Sequence, residues 1–234
     1  MTHPVIKTFL PLFAALALTA ACSTQANDED PLEGYNRAMF SINHGLDTVL
    51  IRPVAQGYRY ITPTPVRTRI GNMSDNLYEP ISMVNGFLQG DFTQGMRSFW
   101  RFIINSTVGL AGMHDVAAEA GIAPHSEDFG QTLAVWGVGS GPYIVLPLFG
   151  PSNLRDTTGM VADIFTSPVT YVSNDIWLTL GIAAGQALVE RERLLDPIDD
   201  IYATSLDPYA SFKSIYEQYR DAAIKNQHSD QPQL

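Results

Sequence analysis

The sequence predicts an all-α fold built from amphipathic helices of modest length. Apolar residues recur at alternating spacings of three and four, which places them on one stripe of a helix. Asp-Pro and Thr-Pro pairs stand where such stripes begin, and no strand alternation of comparable quality interrupts the first half of the chain.

The first helix is predicted to open at Asp30-Pro31-Leu32-Glu33. Asp30 suits a cap, Pro31 the first helical position, and Glu33 would complete a capping box. Its stripe runs through Leu32, Tyr35, Met39, Ile42, Leu46 and Val49, and Arg52-Pro53 is expected to end or kink it. Thr64-Pro65 marks a second start, with Ile70, Met73 and Leu77 in helical period; Pro80 is expected to break that run. Ile81, Val84, Phe87 and Leu88 then form a short third helix closed by Gly90. Asp91 caps a fourth, with Phe92, Met96, Phe99, Trp100 and Ile103 on one side.

The segment from Phe129 to Leu154 carries no charge and is rich in Gly and Pro, so a straight membrane-spanning helix is excluded. Uncharged irregular backbone at membrane depth needs shelter by protein or by a water-filled cavity. The segment therefore reads either as a buried loop or as the wall of a passage. Ser173 or Asn174 is placed to cap a helix from Trp177 to Leu195, and Asp207-Pro208 starts a last one with Phe212, Ile215, Tyr216 and Tyr219 on one face. The domain is expected over residues 31–225, followed by a polar, disordered tail at 226–234.

Of the 234 residues, 45% are hydrophobic and only 16% charged, below the usual share for soluble domains, so some apolar surface is expected to face lipid or a partner. A net charge of −10 argues against nucleic-acid binding and against electrostatic attraction to anionic headgroups. Membrane attachment would have to come from apolar burial or covalent lipid.

Residues 1–21 read as a secretory signal: Lys7 precedes an apolar stretch, Phe9 to Leu18, that is too short to span a bilayer. Small residues lead to the only cysteine in Leu18-Thr19-Ala20-Ala21-Cys22, which resembles a bacterial lipobox. Cys22 is the expected lipidation site, carrying a diacylglyceryl thioether and an N-acyl chain, which together exceed what stable anchoring requires. Ser23 after the cysteine favours the outer membrane over the inner, and residues 22–30 form the lipidated N-terminus and tether.

Signals for chemistry are weak. Gly137-Val138-Gly139-Ser140-Gly141 is not a nucleophile elbow, because Val138 stands where glycine is needed, and no lysine follows to make a phosphate loop. His114, Asp115 and His125 read as capping or loop residues. The histidines lack a second ligand at helical spacing, so no metal site is expected. Asp196, Asp199 and Asp200 lack the pattern of a calcium loop and read as a solvated helix end. Arg155-Asp156 reads as an ion pair at a helix start. No catalytic residue and no cofactor are expected.

A set of motifs resembles the MlaA (VacJ) phospholipid-transport lipoproteins. These are Asp30-Pro31-Leu32-Glu33-Gly34-Tyr35-Asn36-Arg37 with Phe40 and Asn43; Asn76-Leu77-Tyr78-Glu79-Pro80; Gly109-Leu110 and Asp115; and Glu127-Asp128-Phe129-Gly130-Gln131-Thr132-Leu133. Trp136-Gly137-Val138-Gly139, Gly141-Pro142-Tyr143, Leu146-Pro147, Gly150-Pro151-Ser152, Arg155-Asp156 and Asp207-Pro208-Tyr209 complete the set, which extends over roughly Asp30 to Arg220. The resemblance implies a helical ring lying in the outer membrane around an amphipathic channel, beside a trimeric porin. It implies removal of mislocalised outer-leaflet phospholipids and their transfer to a periplasmic phospholipid-binding protein, with an inner-membrane ATP-driven complex completing the route. Asn36, Phe40 and Asn43 would hold the first helix against the channel body, or serve plain packing. Gly130, Gly137, Gly139, Gly141 and Pro142 would shape the passage and its hairpin. A structural envelope lipoprotein and a membrane-bound phospholipid hydrolase acting through Ser140 are the competing functions.

Overall fold

The computed structural model describes residues 30–172 and 175–225. Helix α1 (Glu33–Leu46) passes through a π-helical turn, Asp47–Ile51, into α2 (Arg52–Ile61). Then follow α3 (Thr64–Leu88), α4 (Phe92–Thr107), the short α5 (Val116–Glu119) and α6 (Phe129–Val135). A two-stranded hairpin, β1 (Tyr143–Leu146) with β2 (Gly150–Asn153), leads into α7 (Leu154–Thr166), α8 (Val169–Val172), α9 (Ile176–Arg193), α10 (Leu195–Thr204) and α11 (Pro208–Ile224). The expected all-α class holds, with that antiparallel hairpin as the exception.

Several expected boundaries are corrected. The capping box at α1 does not form: the N-cap position is Leu32, without a side-chain bond. Asp30 is instead drawn inward, where its carboxylate accepts from Asn36 Nδ2 (3.1 Å) and the Tyr209 hydroxyl (2.5 Å). Glu33 pairs with Arg37 one turn on. The break expected at Arg52-Pro53 arrives earlier, as the π-helical turn. Its wider ring, closed by Arg52 N–H onto the Asp47 carbonyl, carries the helix directly into α2, with Pro53 in the first turn. Pro80 does not end its helix; α3 runs unbroken for 25 residues with Pro80 inside it. Partners on neighbouring elements grip both sides of the proline and override its local penalty, Glu79 through Arg101 before it and Ser82 through Glu127 N after it.

The segment from Phe129 to Leu154 is not a loop throughout. Asp128 caps α6 through Gln131 N (2.8 Å), and the strands pair Tyr143 with Asn153 and Leu146 with Gly150. Asp175 caps α9 through Trp177 N (2.8 Å); Ser173 and Asn174, the expected caps, lie outside the described residues. The caps read for α4 and α11 are present, Asp91 accepting from Gln94 N and Asp207 from Ala210 N. The acidic run on α10 is not simply solvated: Asp196 binds Arg59 at 2.7 Å and Asp199 binds Arg52 at 2.7 Å. The expected signal, lipidation site and tether at 1–29, including Cys22, and the tail at 226–234 lie outside the described residues.

The apolar core is small. Tyr143 and Val145 of β1 pack with Tyr209 of α11, flanked by Met39 and Phe40 of α1 and by Tyr216. Elsewhere many contacts between elements run through polar residues and through glycine. A Cβ on Gly159 of α7 would lie 2.7 Å from the Gly130 Cα of α6, so this helix pair requires glycine on both sides.

Candidate lipid-facing surface and polar interior

The periodicity that defines each helix does not say which face turns inward, and on most helices the polar face does. On α4 the buried residues are Gly95, Ser98, Arg101 and Asn105. Its apolar stripe of Phe92, Met96, Trp100 and Ile103 is exposed, Trp100 to 49%. On α3, Asn76, Glu79, Ser82 and Asn85 are buried while Ile70 and Tyr78 face out. On α1 Asn36 is buried, whereas Ile42, Leu46 and, just beyond, Val49 at 80% are exposed. Leu148 and Phe149 at the hairpin tip, and Trp177, Leu178 and Leu180 at the start of α9, add to the apolar exterior. Soluble monomers rarely present apolar surface on this scale. Among the described residues no helix is long and apolar enough to cross a membrane.

Three polar clusters lie buried among the helices. Between α3 and α4, Arg101 donates Nε to Glu79 (2.5 Å), Nη2 to Asp115 (3.0 Å) and Nη1 to the Ile122 carbonyl (2.7 Å). Asn105 donates to Asp115 (2.9 Å) and accepts from Ala117 N (2.9 Å), while Asp115 caps α5. Burial pushes the Glu79 carboxyl up despite Arg101. Burial opposes ionisation of Asp115 too, but the donors from Arg101, Asn105 and Ala118 N outweigh it and hold that carboxyl below the ordinary range.

The second cluster joins α3 to α6 and α7. Thr132 donates to Asn85 Oδ1 (2.8 Å), and Asn85 Nδ2 donates to Asp163 (3.0 Å). Phe129 N donates to Asp163 as well (3.0 Å). Burial pushes the Asp163 carboxyl up to about 6, only partly offset by these two donors. Glu127 accepts from Gln89 (2.8 Å) and faces His125 Nε2 at 2.7 Å.

In the third cluster Arg220 of α11 spans Asp128 (2.5 and 3.0 Å) and Asp156 (2.8 Å). Asp156 also receives the Tyr216 hydroxyl (2.6 Å) and Arg155 Nε (2.9 Å), so the ion pair read from Arg155-Asp156 is present and embedded in a larger network. Burial raises both carboxyls, yet Arg220 and the other donors hold Asp128 and Asp156 below the ordinary carboxylate range.

The residues singled out from the sequence divide into three groups. Asn36 and Asn43, two turns apart on α1, meet the hairpin backbone as a neighbouring strand would. Asn36 Nδ2 donates to the Tyr143 carbonyl (3.0 Å) and its Oδ1 accepts from Val145 N (2.8 Å). Asn43 repeats the pattern with the Leu146 carbonyl (2.8 Å) and Leu148 N (2.9 Å), securing a turn in which Leu148 adopts φ 66°. Phe40, between them, packs on Tyr202, Tyr209 and Phe212. Gly130 belongs instead to the α6–α7 contact, where a side chain would strike Asp156 Oδ1 at 2.6 Å. Gly137, Gly139, Gly141 and Pro142 lie together on the exposed link between α6 and β1. Gly137, at φ 88°, ends α6 by donating to the Ala134 carbonyl (2.9 Å). Ser140 is on the same exposed link and its carbonyl accepts from Arg155 N (3.1 Å). No group of three or more metal-binding side chains occurs among the described residues. Sequence reasoning missed Arg101, Glu79, Asp163 and Arg220. The available signal was a charge on the side of each helix opposite its apolar stripe, as with Arg101 on α4.

The family model described as MlaA lipoprotein matches residues 28–223. The chain belongs to the MlaA lipoprotein family. It is 40% identical over 218 residues to the intermembrane phospholipid transport system lipoprotein MlaA of Escherichia coli, covering 87% of this chain and 83% of that protein. The protein of the same name from Haemophilus influenzae is 30% identical over 222 residues, covering 91% and 88%. An uncharacterized protein of Rickettsia typhi is 36% identical over 197 residues, covering 84% and 78%. A solved structure from work on the structural basis for maintenance of bacterial outer membrane lipid asymmetry superposes with a TM-score of 0.75 at 40% identity, covering 83% of this chain and 98% of that one. The chain therefore shares a fold as well as a sequence pattern with that solved relative.

Proposed function

We propose that the chain is an outer-membrane lipoprotein that removes mislocalised phospholipids from the outer leaflet and passes them to a periplasmic carrier, so maintaining lipid asymmetry. The observation that carries the proposal is the reversed burial: charges and amides inside, aromatic and aliphatic side chains outside. A headgroup needs a polar route while its acyl tails stay in hydrocarbon, and a body with this polarity supplies both. Family membership and the names of the E. coli and H. influenzae relatives support the same reading.

In this reading Cys22 carries the diacylglyceryl and N-acyl anchor and the body lies in the leaflet from the periplasmic side, as a ring around an amphipathic channel. Asn36, Phe40 and Asn43 fix the hairpin to α1, and Gly137, Gly139, Gly141 and Pro142 shape the lip of the passage. A trimeric porin beside it and a periplasmic phospholipid-binding protein below it are the proposed partners. The work is transport rather than catalysis, with no cofactor, and any energy comes from a partner. The test is deletion of the gene in its own host and complementation with the full chain. The deletion strain is expected to accumulate outer-leaflet phospholipid, and the full chain to clear it. Unchanged leaflet composition on deletion would contradict the proposal.

A further inference from the structure

Ion pairs join α9 and α10 to the π-helical turn, α2 and α3. The buried apolar side chains of these segments are Ala55 on α2, Val189 on α9 and Leu195 at the start of α10, besides Ile81 farther along α3. The pairs are of two kinds. Two are sheltered. Arg191 of α9 clamps Asp47 through Nε (2.7 Å) and Nη2 (2.8 Å), with both side chains largely buried. Beside it the buried Glu192 accepts Arg59 Nε (2.7 Å). Three pairs are wet. Arg59 Nη1 reaches the exposed Asp196 (2.7 Å), Arg52 Nη2 meets Asp199 (2.7 Å), and Arg193 holds both oxygens of Asp75 (2.8 Å each). In each of these at least one partner is more than a third exposed.

Exposed pairs contribute little and are screened by salt, whereas sheltered pairs are screened much less. The seam thus has a firm centre and a salt-labile margin, and their order along the chain matters. The firm pairs fall at 191 and 192, and the labile ones follow at 193, 196 and 199. On the other side of the firm pairs the first half of α9 stands nearly free of the body. Trp177, Leu178 and Leu180 are exposed there, and a side chain added at Gly181 or Gly185 would meet nothing. The helix is continuous over 18 residues, about 27 Å, so a tilt at its C-terminal end is carried to its tip. The π-helical turn sets both kinds of pair side by side, with Asp47 opening the turn and Arg52 following it.

We infer that α9 is a lever that pivots on the Arg191–Asp47 and Arg59–Glu192 pairs and is clasped by Arg52–Asp199, Arg59–Asp196 and Arg193–Asp75, so that ionic strength sets how often it opens. The device goes beyond the transport reading and does not depend on it. The α3–α4 seam is the internal reference, because its Arg101–Glu79 pair is buried on both sides and out of reach of salt.

The test is hydrogen–deuterium exchange of the detergent-purified full chain at about 0.1 M and about 1 M sodium chloride, between which the screening length falls from about 10 Å to about 3 Å. Amides of α9 and α10 are expected to exchange about tenfold faster at the higher salt, and those of α4 to change less than about twofold. Nitroxides on Tyr60→Cys and Leu178→Cys, both exposed positions, are expected to show a second distance population that grows with salt, singly labelled samples accounting for any label on Cys22. Two variants act at low salt. In Gly71→Ala the added methyl strikes Arg193 Nη2 and displaces the guanidinium from Asp75 without removing a charge. Asp199→Arg repels Arg52. Both are expected to move low-salt exchange toward the wild-type value at high salt, and Arg52→Glu with Asp199→Arg, the pair reversed, to restore slow exchange. If a variant fails to fold by circular dichroism, the salt dependence of the wild type decides alone. Exchange in α9 and α10 that ignores salt, equal acceleration in α4, one unchanged distance at both salts, or a folded reversed pair that stays fast would overturn the lever.

Discussion

The α3–α4 pair and the hairpin region obey opposite burial rules within one chain. Where α1, β1 and α11 meet, the interior is that of an ordinary soluble domain, with Val145 at 0% exposure among Tyr143, Tyr209 and Phe40. Between α3 and α4 the interior is an arginine held by two carboxylates, and large apolar residues of both helices, Ile70, Tyr78, Met96 and Trp100 among them, point outward. The contrast shows that amphipathicity specifies a boundary but not its sense. Water outside turns the stripe inward; hydrocarbon outside turns it outward. The hairpin is anchored by apolar packing plus the asparagine contacts, while the helical pair is locked by charge.

The comparison can be broken most severely at Arg101. Arg101→Ala leaves Glu79 and Asp115 without their shared cation, and removal of one partner from a buried pair costs about 3–5 kcal/mol. Denaturation in detergent is expected to show a loss of that size. A change below about 1 kcal/mol would mean that the polar interior is wetter than its burial indicates.

On the hairpin side the corresponding change is Asn36→Ala. It leaves Val145 N and the Tyr143 carbonyl buried without partners, about 1–3 kcal/mol for each. Asn36→Asp is expected to fail as well, since it supplies an acceptor to Val145 N but no donor to Tyr143. Thermal melts of the two variants, read against Arg101→Ala, rank the two kinds of interior.

A smaller effect sharpens the comparison by pH. Asp163 binds its proton up to about pH 6 in the fold, well above the ordinary value of 3.8. The folded state therefore holds more protons than the unfolded chain between those values, and Asp163 contributes added stability as pH falls from about 6 toward 4. Asp115, Asp128 and Asp156 have the opposite sign, because their depressed carboxyls lose stability as they protonate at lower pH. Asp163→Asn keeps an acceptor for Phe129 N and is expected to flatten the pH 4–6 part of the stability profile only. An unchanged profile would remove Asp163 from the account.

Most helices were legible in the sequence because spacing and caps are local. Asp91, Asp207 and the stripes of α4 and α11 needed no tertiary information. Pro80 misled because the forces that keep α3 continuous come from Arg101 and Glu127, outside that helix. Asp30 misled for a related reason: a residue suited to capping found Asn36 and Tyr209 instead, the latter 179 positions away. The candidate site was half visible. Asn36, Phe40 and Asn43 stand at helical spacing within the family motif; the two asparagines meet the hairpin backbone, while Phe40 packs on Tyr202, Tyr209 and Phe212. The ion pairs at the π-helical turn, Arg52 with Asp199 and Asp47 with Arg191, had no sequence signal, because each spans well over a hundred residues.

The central claim is that the apolar exterior faces lipid, and the tryptophans test it directly. All three, Trp100, Trp136 and Trp177, lie on that exterior, at 49%, 54% and 78% exposure. The full chain reconstituted in vesicles containing brominated phospholipid is expected to show strong tryptophan quenching by the lipid and weak quenching by aqueous acrylamide. Strong acrylamide quenching with no effect of the brominated chains would contradict the account.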